Sequence, residues 1–145
     1  MKAVVQRVSK AKLSVGGKLV SEIEKGFVVY FGVADGDGYE KADFIAKKIA
    51  GLRVFEDENG KMNLGLKDVG GSVLFVSQFT LIADTLKGNR PSFSNAMRPD
   101  DANKIYLYCA DKIREFGLEV KLGVFGADMQ IEQVNQGPVT ILYEV

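Results

Sequence analysis

The pair Gly137-Pro138 interrupts a run of strand-forming residues near the end of the chain, in the sequence NQGPVT at positions 135–140. Proline cannot donate a ladder hydrogen bond, so within sheets it is confined to edges, strand starts or bulges. An X-Pro bond is also the one peptide bond that adopts the cis form at low cost. The flanking strand formers are Ile131, Val134, Val139, Ile141 and Leu142. We therefore expect a stiff backbone corner that directs main-chain carbonyl groups at a small ligand.

The composition excludes several kinds of catalytic site. The chain has no histidine and a single cysteine, Cys109. Without imidazole there is no Ser/His/Asp or Cys/His triad and no imidazole-ligated zinc. One thiol forms neither an intrachain disulfide nor a four-cysteine metal site. An enzyme of this composition must use hydroxyls, carboxylates, amines, backbone amides or groups of the substrate, and we expect no metal and no cofactor.

Length and charge limit the organisation and the partners. A chain of 145 residues suits one domain, 1–145, with a proper core. Lys plus Arg and Asp plus Glu both number 19, so a nucleic-acid role must rest on a local patch. Residues 1–15 alternate apolar and polar side chains, unlike a signal peptide or membrane span. With its lone thiol the chain is predicted to be cytoplasmic, with no membrane or DNA partner.

Apolar patterns predict many strands and only two main helices. Strands are predicted at residues 4–15, 18–23, 27–33, 72–79, 118–125, 129–135 and 139–145. Helices are predicted at residues 39–52 and from Pro99 to Phe116, where Gly117 ends the second helix. The expected fold is an α/β single domain of three layers, with helices on a mixed β-sheet and a second β-sheet, in a barrel-like arrangement.

The segment SQFTL contains the strongest candidates for catalysis, Ser77, Gln78, Phe79 and Thr80. It ends a buried strand, where a rigid scaffold presents hydroxyls, a carboxamide and backbone N–H groups. The simpler interpretation is that these polar groups only bond their neighbours. Thr80 lacks a histidine to activate it as a nucleophile. A backbone oxyanion hole at Phe79 and Thr80 needs no titration and predicts acyl transfer or ester hydrolysis.

The loop at residues 87–98 carries Lys87, Arg90 and Arg98 with an aromatic residue, Phe93, and no acidic residue. Basic side chains interleaved with serine and asparagine hold phosphate oxygens, which predicts contact with the end of a nucleic acid. A loop that is merely solvated explains the same composition.

Together, at this separation in a chain of this length, SQFTL and NQGPVT resemble the D-aminoacyl-tRNA deacylase (D-tyrosyl-tRNA deacylase) family. The resemblance covers essentially the whole chain. It extends to QRV at 6–8, GKMN at 60–63, GGSVL at 70–74, RPSFS at 90–94 and FGADM at 125–129.

The resemblance implies a cytoplasmic homodimer that hydrolyses the ester between a D-amino acid and the 3'-terminal adenosine of tRNA, a chiral proofreading activity. The resemblance also implies cleavage of glycyl-tRNA as a side activity. SQFTL would form the floor of the pocket, and Gly137-Pro138, in the cis form, would enter the partner's active site and reject L-amino acids by its two carbonyls. The implied pocket surroundings are Arg7, Phe125, Met129 and Asn135.

Two mechanisms and three other functions stay open at this point. Thr80 could form an acyl-enzyme, or the 2'-hydroxyl of the terminal ribose could assist water while Gln78, Phe79 and Thr80 position and stabilise; we favour the second. The alternative functions are a non-catalytic tRNA-binding dimer, a hydrolase of some other ester or amide, and a purely structural dimeric domain.

Overall fold

The computed structural model describes residues 1–145 and shows a mixed α/β fold with two long helices, as predicted. The strands are β1 (Lys2–Val15), β2 (Lys18–Ile23), β3 (Gly26–Gly32), β4 (Arg53–Glu56), β5 (Met62–Gly65), β6 (Ser72–Ser77), β7 (Val120–Leu122) and β8 (Met129–Glu144). The helices are α1 (Tyr39–Ala50), the short α2 (Leu66–Val69) and α3 (Pro99–Glu115), and a 3₁₀ helix covers Phe79–Ile82. No helix has both the length and the apolar character that crossing a membrane requires.

The main sheet curls because β1, with 14 residues, is longer than β2 and β3, which share one of its edges. Its first half pairs with β3 and its second half with β2, both antiparallel, while β8 pairs along the whole of its other edge. The sheet continues from β3 to β6 and β7 in parallel. Ser21 Oγ on β2 donates a hydrogen bond to the Leu122 carbonyl on β7 at 2.6 Å. The sheet thus nearly closes into a barrel, and β4 and β5 form a small second sheet.

Two apolar cores lie on the two faces of this sheet. The larger, of 24 buried residues, lies between the sheet, the helices and the β4–β5 pair, and the smaller, of seven, fills the inside of the curl. Along β3, Phe27, Val29 and Phe31 contribute to the larger core and Val28 to the smaller. This alternation follows the two-residue period of a strand. The continuous apolar run that predicts a strand covered on both faces is confirmed.

Several predicted ends of strands and helices differ from those in the structure. The strand predicted at 72–79 ends at Ser77, and the helix predicted at 39–52 ends at Ala50. The two strands predicted at 129–135 and 139–145 are one strand, β8, which contains Gly137-Pro138. A continuous partner explains this result, because β1 pairs with both halves of β8 and the register shifts between Gln6 and Lys10 absorb the corner.

A buried carboxylate fixes the turn between β3 and α1. Asp37 Oδ1 lies 2.7 Å from Lys41 Nζ, and Oδ2 accepts the Ala34 N–H at 2.8 Å and lies 2.6 Å from the amino group of Met1. Burial alone raises the pKa of Asp37, but the hydrogen bonds from these groups outweigh it and lower the pKa below its usual value. The ionised form is therefore the one that the fold stabilises.

Replacing Asp37 by asparagine is expected to lower the free energy of unfolding at pH 7 by about 3 kcal/mol, because two ammonium groups lose their buried partner. The folded pKa lies below the unfolded one, near 3.8. The native stabilisation is therefore present above that pH and lost as the pH falls through the folded pKa. Urea unfolding from pH 7 to pH 3 measures both effects. Asp35→Asn, an exposed carboxylate of the same turn, is the control, and equal midpoints for the two variants would contradict the prediction.

Candidate active site

A cavity of about 450 Å³ opens where the parallel strands β3 and β6 end and α3 begins. Most of its lining is apolar or aromatic. The lining residues are Phe31, Val33, Val76, Ser77, Gln78, Phe79, Met97, Pro99, Ala102, Tyr106, Phe125, Gly126, Ala127, Asp128, Met129 and Ile131. A mainly apolar cavity with a few polar groups on one wall is typical of a small-ligand site.

Three of the four predicted catalytic residues line this cavity. Gln78 has φ −146° and ψ 79°, which ends β6 and turns the chain into the 3₁₀ helix. Ser77, Gln78 and Phe79 face the cavity, whereas Thr80 is exposed and is not part of the lining. The N–H groups of Phe79 and Thr80 lie in the first turn of the 3₁₀ helix, where helix geometry gives them no intrahelical acceptor. Free backbone donors therefore lie next to the part of the cavity wall that Phe79 forms.

The hydroxyl of Thr80 has no general base beside it. Its side-chain hydrogen bond is accepted from Gln78 Nε2, which is an amide donor. An amide does not remove a proton from a hydroxyl, so this contact orients Thr80 without activating it.

The basic loop is anchored to the cavity wall by an aromatic contact. The rings of Phe79 and Phe93 meet edge to face with centroids 5.0 Å apart. Two backbone hydrogen bonds between Asp84 and Ser92, at 2.8 and 2.9 Å, close the tip of the loop into a hairpin. The loop is thus held beside the cavity.

The three predicted RNA contacts are exposed and form no ion pair. Arg98 lies between two residues of the cavity lining, Met97 and Pro99. Lys87 and Arg90 lie within the hairpin closed by Asp84 and Ser92. These cations therefore extend from the cavity mouth onto the neighbouring surface.

The opposite wall comes from the segment after β7 and from α3. Phe125 and Met129 line the cavity, as two of the predicted pocket surroundings. Tyr106, which sequence reasoning missed, donates its hydroxyl to the Phe75 carbonyl at 2.7 Å, and its ring stacks on Phe75 at 5.2 Å. Burial raises the pKa of Tyr106, so the hydroxyl stays protonated and holds the wall in place. The helical spacing of Ala102, Tyr106 and Cys109 was the available signal.

The pair Gly137-Pro138 lies on the surface and is held from beneath by Arg7. The peptide bond between the two residues is cis, and Gly137 has φ +121°. Arg7 is buried, with 7% of its surface exposed; its Nε donates to the Gln136 carbonyl at 3.0 Å and its Nη1 to the Val54 carbonyl. A Cβ at Gly137 would lie 2.8 Å from Arg7 Nη2. The guanidinium therefore fixes the path of this segment.

The cavity and Gly137-Pro138 lie at different levels of the sheet. Arg7 pairs with Phe27 at the start of β3, whereas the cavity lies beside Phe31 and beyond. Four strand residues span about 13 Å. Neither Arg7 nor Asn135 lines the cavity, and Asn135 is exposed with its Oδ1 accepting Gln133 Nε2 at 2.6 Å. One chain alone does not bring these predicted residues to Ser77.

Comparison with known proteins gives matches along nearly the whole chain. The family described as D-Tyr-tRNA(Tyr) deacylase matches residues 4–144. A D-aminoacyl-tRNA deacylase from Koribacter versatilis (strain Ellin345) is 54% identical over 144 residues, covering 99% of this chain and 97% of the relative.

Two solved structures share the fold. The c-Myc DNA Unwinding Element Binding Protein is 42% identical with a TM-score of 0.93, and the match covers 100% of this chain and 99% of that one. A probable eukaryotic D-amino acid tRNA deacylase is 16% identical with a TM-score of 0.84, over 99% and 98% of the two chains, which shows the fold alone. The resemblance carried by SQFTL and NQGPVT is confirmed, and the chain belongs to the D-Tyr-tRNA(Tyr) deacylase family of hydrolases.

Proposed function

We propose that the chain, as one domain spanning residues 1–145, hydrolyses the ester between a D-amino acid and the 3'-terminal adenosine of tRNA. The observation that carries this proposal is the pairing of two features. One is a cavity lined by Ser77, Gln78 and Phe79, where β6 turns into the 3₁₀ helix, and the other is a fixed, exposed Gly137-Pro138 segment that lies outside that cavity.

The cavity suits a terminal adenosine in size and in chemistry. A volume of about 450 Å³ lies within the range of small-ligand sites. A purine base stacks favourably on aromatic side chains, which Phe79 and Phe125 supply at the lining. With the base there, the 3' ester would lie at the start of the 3₁₀ helix. The N–H groups of Phe79 and Thr80 would then stabilise negative charge on the carbonyl oxygen during attack.

We propose that water attacks the ester with help from the substrate. Water adds to the carbonyl carbon, the bond from that carbon to the ribose 3' oxygen breaks, and the 2'-hydroxyl relays the proton to the departing oxygen. The chain offers no histidine, and the contact that Thr80 makes is with an amide donor. Ser77 and Gln78 would position the ester, and no step requires a metal or cofactor.

Replacing Thr80 by alanine is expected to lower kcat by less than about tenfold, because its hydroxyl only accepts one hydrogen bond from Gln78, which contributes about 1 kcal/mol. Single-turnover hydrolysis of D-tyrosyl-tRNA measures the effect. Loss of all activity in a folded variant that still binds tRNA, or an acyl adduct trapped on Thr80, would support the nucleophile mechanism instead. Thr85→Ala, an exposed threonine outside the cavity lining, is the matched control.

We propose further that the enzyme is a homodimer in which Gly137-Pro138 of one chain enters the cavity of the other. β8 is a 16-residue strand that pairs only with β1. It also exposes Val134 and Leu142, with 46% and 60% of their surfaces accessible. A long exposed edge strand is normally covered by another element. A partner seated there would supply the two carbonyls that the cavity lacks in one chain.

The backbone gate explains how the site would distinguish chirality alone. The Gly137 and Pro138 carbonyls would face the α-carbon of the substrate and clash with the side chain of an L-amino acid. A D side chain would point outward, so its identity would matter little. Glycine has no side chain to reject, so glycyl-tRNA would be cleaved as a side activity.

Lys87, Arg90 and Arg98 are proposed to hold phosphates of the 3' end, because they are exposed cations without acidic partners beside the cavity mouth. We place the enzyme in the cytoplasm. Its one thiol, Cys109, is free and buried, which fits a reducing compartment.

A dimer that binds nucleic acid without catalysis is the second candidate. The exposed basic loop favours it, and one similar solved structure bears a name that refers to a DNA element. This candidate predicts retention of tRNA on the protein with no release of D-tyrosine from D-tyrosyl-tRNA. Measuring binding and ester cleavage on the same sample separates the two functions.

A further inference from the structure

A second cavity, of about 480 Å³, lies between the end of α1 and the start of β4. We define it as the cationic groove, lined by Phe44, Lys47, Lys48, Gly51, Leu52, Arg53 and Tyr143. Its lining holds three cations and no carboxylate. We propose that this groove binds the sugar-phosphate backbone of the tRNA whose 3' end lies in the cavity of the partner chain. The inference rests on the proposed deacylase function.

The cations of the groove lack counterions. Lys41, Lys104 and Lys112 each pair with a carboxylate, whereas Lys47 and Lys48 form no ion pair. A position in the last turn of α1 is favourable for lysine because of the helix dipole. The dipole does not account for Arg53, which lies outside the helix. A phosphate ligand would supply a counterion for all three cations.

Two of the three cations are held in place. Arg53 donates Nε to the Asn63 carbonyl at 2.6 Å and Nη2 to Asn63 Oδ1, which leaves other guanidinium hydrogens for a ligand. Lys48 Nζ lies 5.4 Å from the centre of the Phe44 ring. A fixed guanidinium fork matches the geometry of phosphate oxygens. The half-exposed Phe44 ring, with 44% of its surface accessible, adds an apolar contact for a sugar or base.

The position of the groove suits RNA bound in the partner's cavity better than RNA bound in the cavity of the same chain. It shares no lining residue with the 450 Å³ cavity. Arg53 is followed by Val54, whose carbonyl accepts Arg7 Nη1, and Arg7 in turn donates to the Gln136 carbonyl. The groove is therefore two contacts away from Gly137-Pro138. If that segment enters the partner's cavity, the groove comes next to the RNA bound there.

The test compares the double variant Lys47→Gln/Lys48→Gln with a control of equal charge change, Lys12→Gln/Lys18→Gln, whose exposed lysines line neither cavity. Each is assayed on D-tyrosyl-tRNA and on the D-tyrosyl 3' ester of adenosine, which has no RNA backbone. We expect the groove variant to lose about tenfold in kcat/KM on the tRNA at 50 mM salt. The slope of log kcat/KM against log salt concentration should be less steep for the groove variant by about 2. The reason is that each lost phosphate contact removes about 0.9 from this slope.

Turnover of the small ester shows whether the groove substitutions weaken RNA binding or impair the active site as a whole. The groove variant should cleave it at the native rate, and the control should match the native protein on both substrates. Equal losses on both substrates, or no loss on the tRNA, would overturn the inference. If the native protein cleaves neither D ester, the proposed function itself has failed. If the groove substitutions weaken binding of duplex DNA but leave tRNA turnover unchanged, the groove binds a different partner and the inference is wrong.

Mixed dimers test whether the groove acts across the interface. One chain carries Ala127→Trp, which fills its own cavity, or Ile131→Trp if the first variant does not fold. The groove substitutions are placed either on that blocked chain or on its open partner. Action across the interface predicts that only the first arrangement loses tRNA turnover. If tRNA turnover is lost only in the second arrangement, the groove acts on the cavity of its own chain. That result would overturn the inference that it acts across the interface.

Discussion

Replacing Gly137 by valine is expected to lower kcat/KM for D-tyrosyl-tRNA by at least about 100-fold, because small misplacements of a group that positions the reaction cost that much. Gly137 has φ +121°, a conformation that a β-branched residue rarely adopts, and a Cβ there would lie 2.8 Å from Arg7 Nη2. Valine would therefore push against the Arg7 side chain and displace the carbonyls of the proposed gate. Hydrolysis is measured on protein shown to be folded and dimeric.

The control for this prediction is Gly60→Val. Gly60 also has a positive φ, +73°, but a Cβ there meets no atom within 4 Å. Both variants therefore carry backbone strain, and only one alters the proposed gate. Native turnover in a folded, dimeric Gly137→Val protein would contradict the account. Equal losses in the two variants would attribute the effect to strain.

Replacing Arg7 by methionine is expected to have the second large effect, on stability and on selectivity together. The Gln136 and Val54 carbonyls lose their donor, which should lower the free energy of unfolding by about 3 kcal/mol. The Gly137-Pro138 segment loses the contact that fixes its path. We expect kcat/KM on D-tyrosyl-tRNA to fall about 100-fold, and the ratio of D to L turnover to fall with it.

Arg7→Lys distinguishes positioning from stability. Lysine keeps the charge but cannot reach two carbonyls with a planar fork. It should restore part of the stability and little of the D to L ratio. A methionine variant that is destabilised yet keeps the native D to L ratio would limit Arg7 to a structural role. The control is Lys10→Met, an exposed cation on the same strand.

Local patterns predict the elements that bury a continuous apolar face. The run at β3 and the helical spacing in α1 and α3 are such patterns, because burial of those faces decides their structure. The end of β6 at Ser77 was not predictable in this way. Its position depends on the conformation of Gln78, which the sequence leaves open.

The candidate site is only partly visible in the sequence because segments distant in the chain build it. SQFTL and FGADM identify two walls, and both contribute to the lining. Tyr106 enters through the packing of α3, and Met97 through the loop before it, where its N–H donates to the Val33 carbonyl at 3.0 Å. No short motif records either contact. The contact of Arg7 with Gln136 joins residues 129 positions apart. The cationic groove likewise depends on α1, β4 and β8 meeting in space.

The most direct test of the central claim is hydrolysis of D-tyrosyl-tRNA beside L-tyrosyl-tRNA by the purified protein, with a chelator present. We expect rapid release of D-tyrosine, an intact L ester, and no effect of the chelator. Equal release from both esters would contradict the backbone gate. Release from neither, by a protein that is folded and dimeric, would contradict the proposed deacylase function and favour the nucleic-acid-binding dimer.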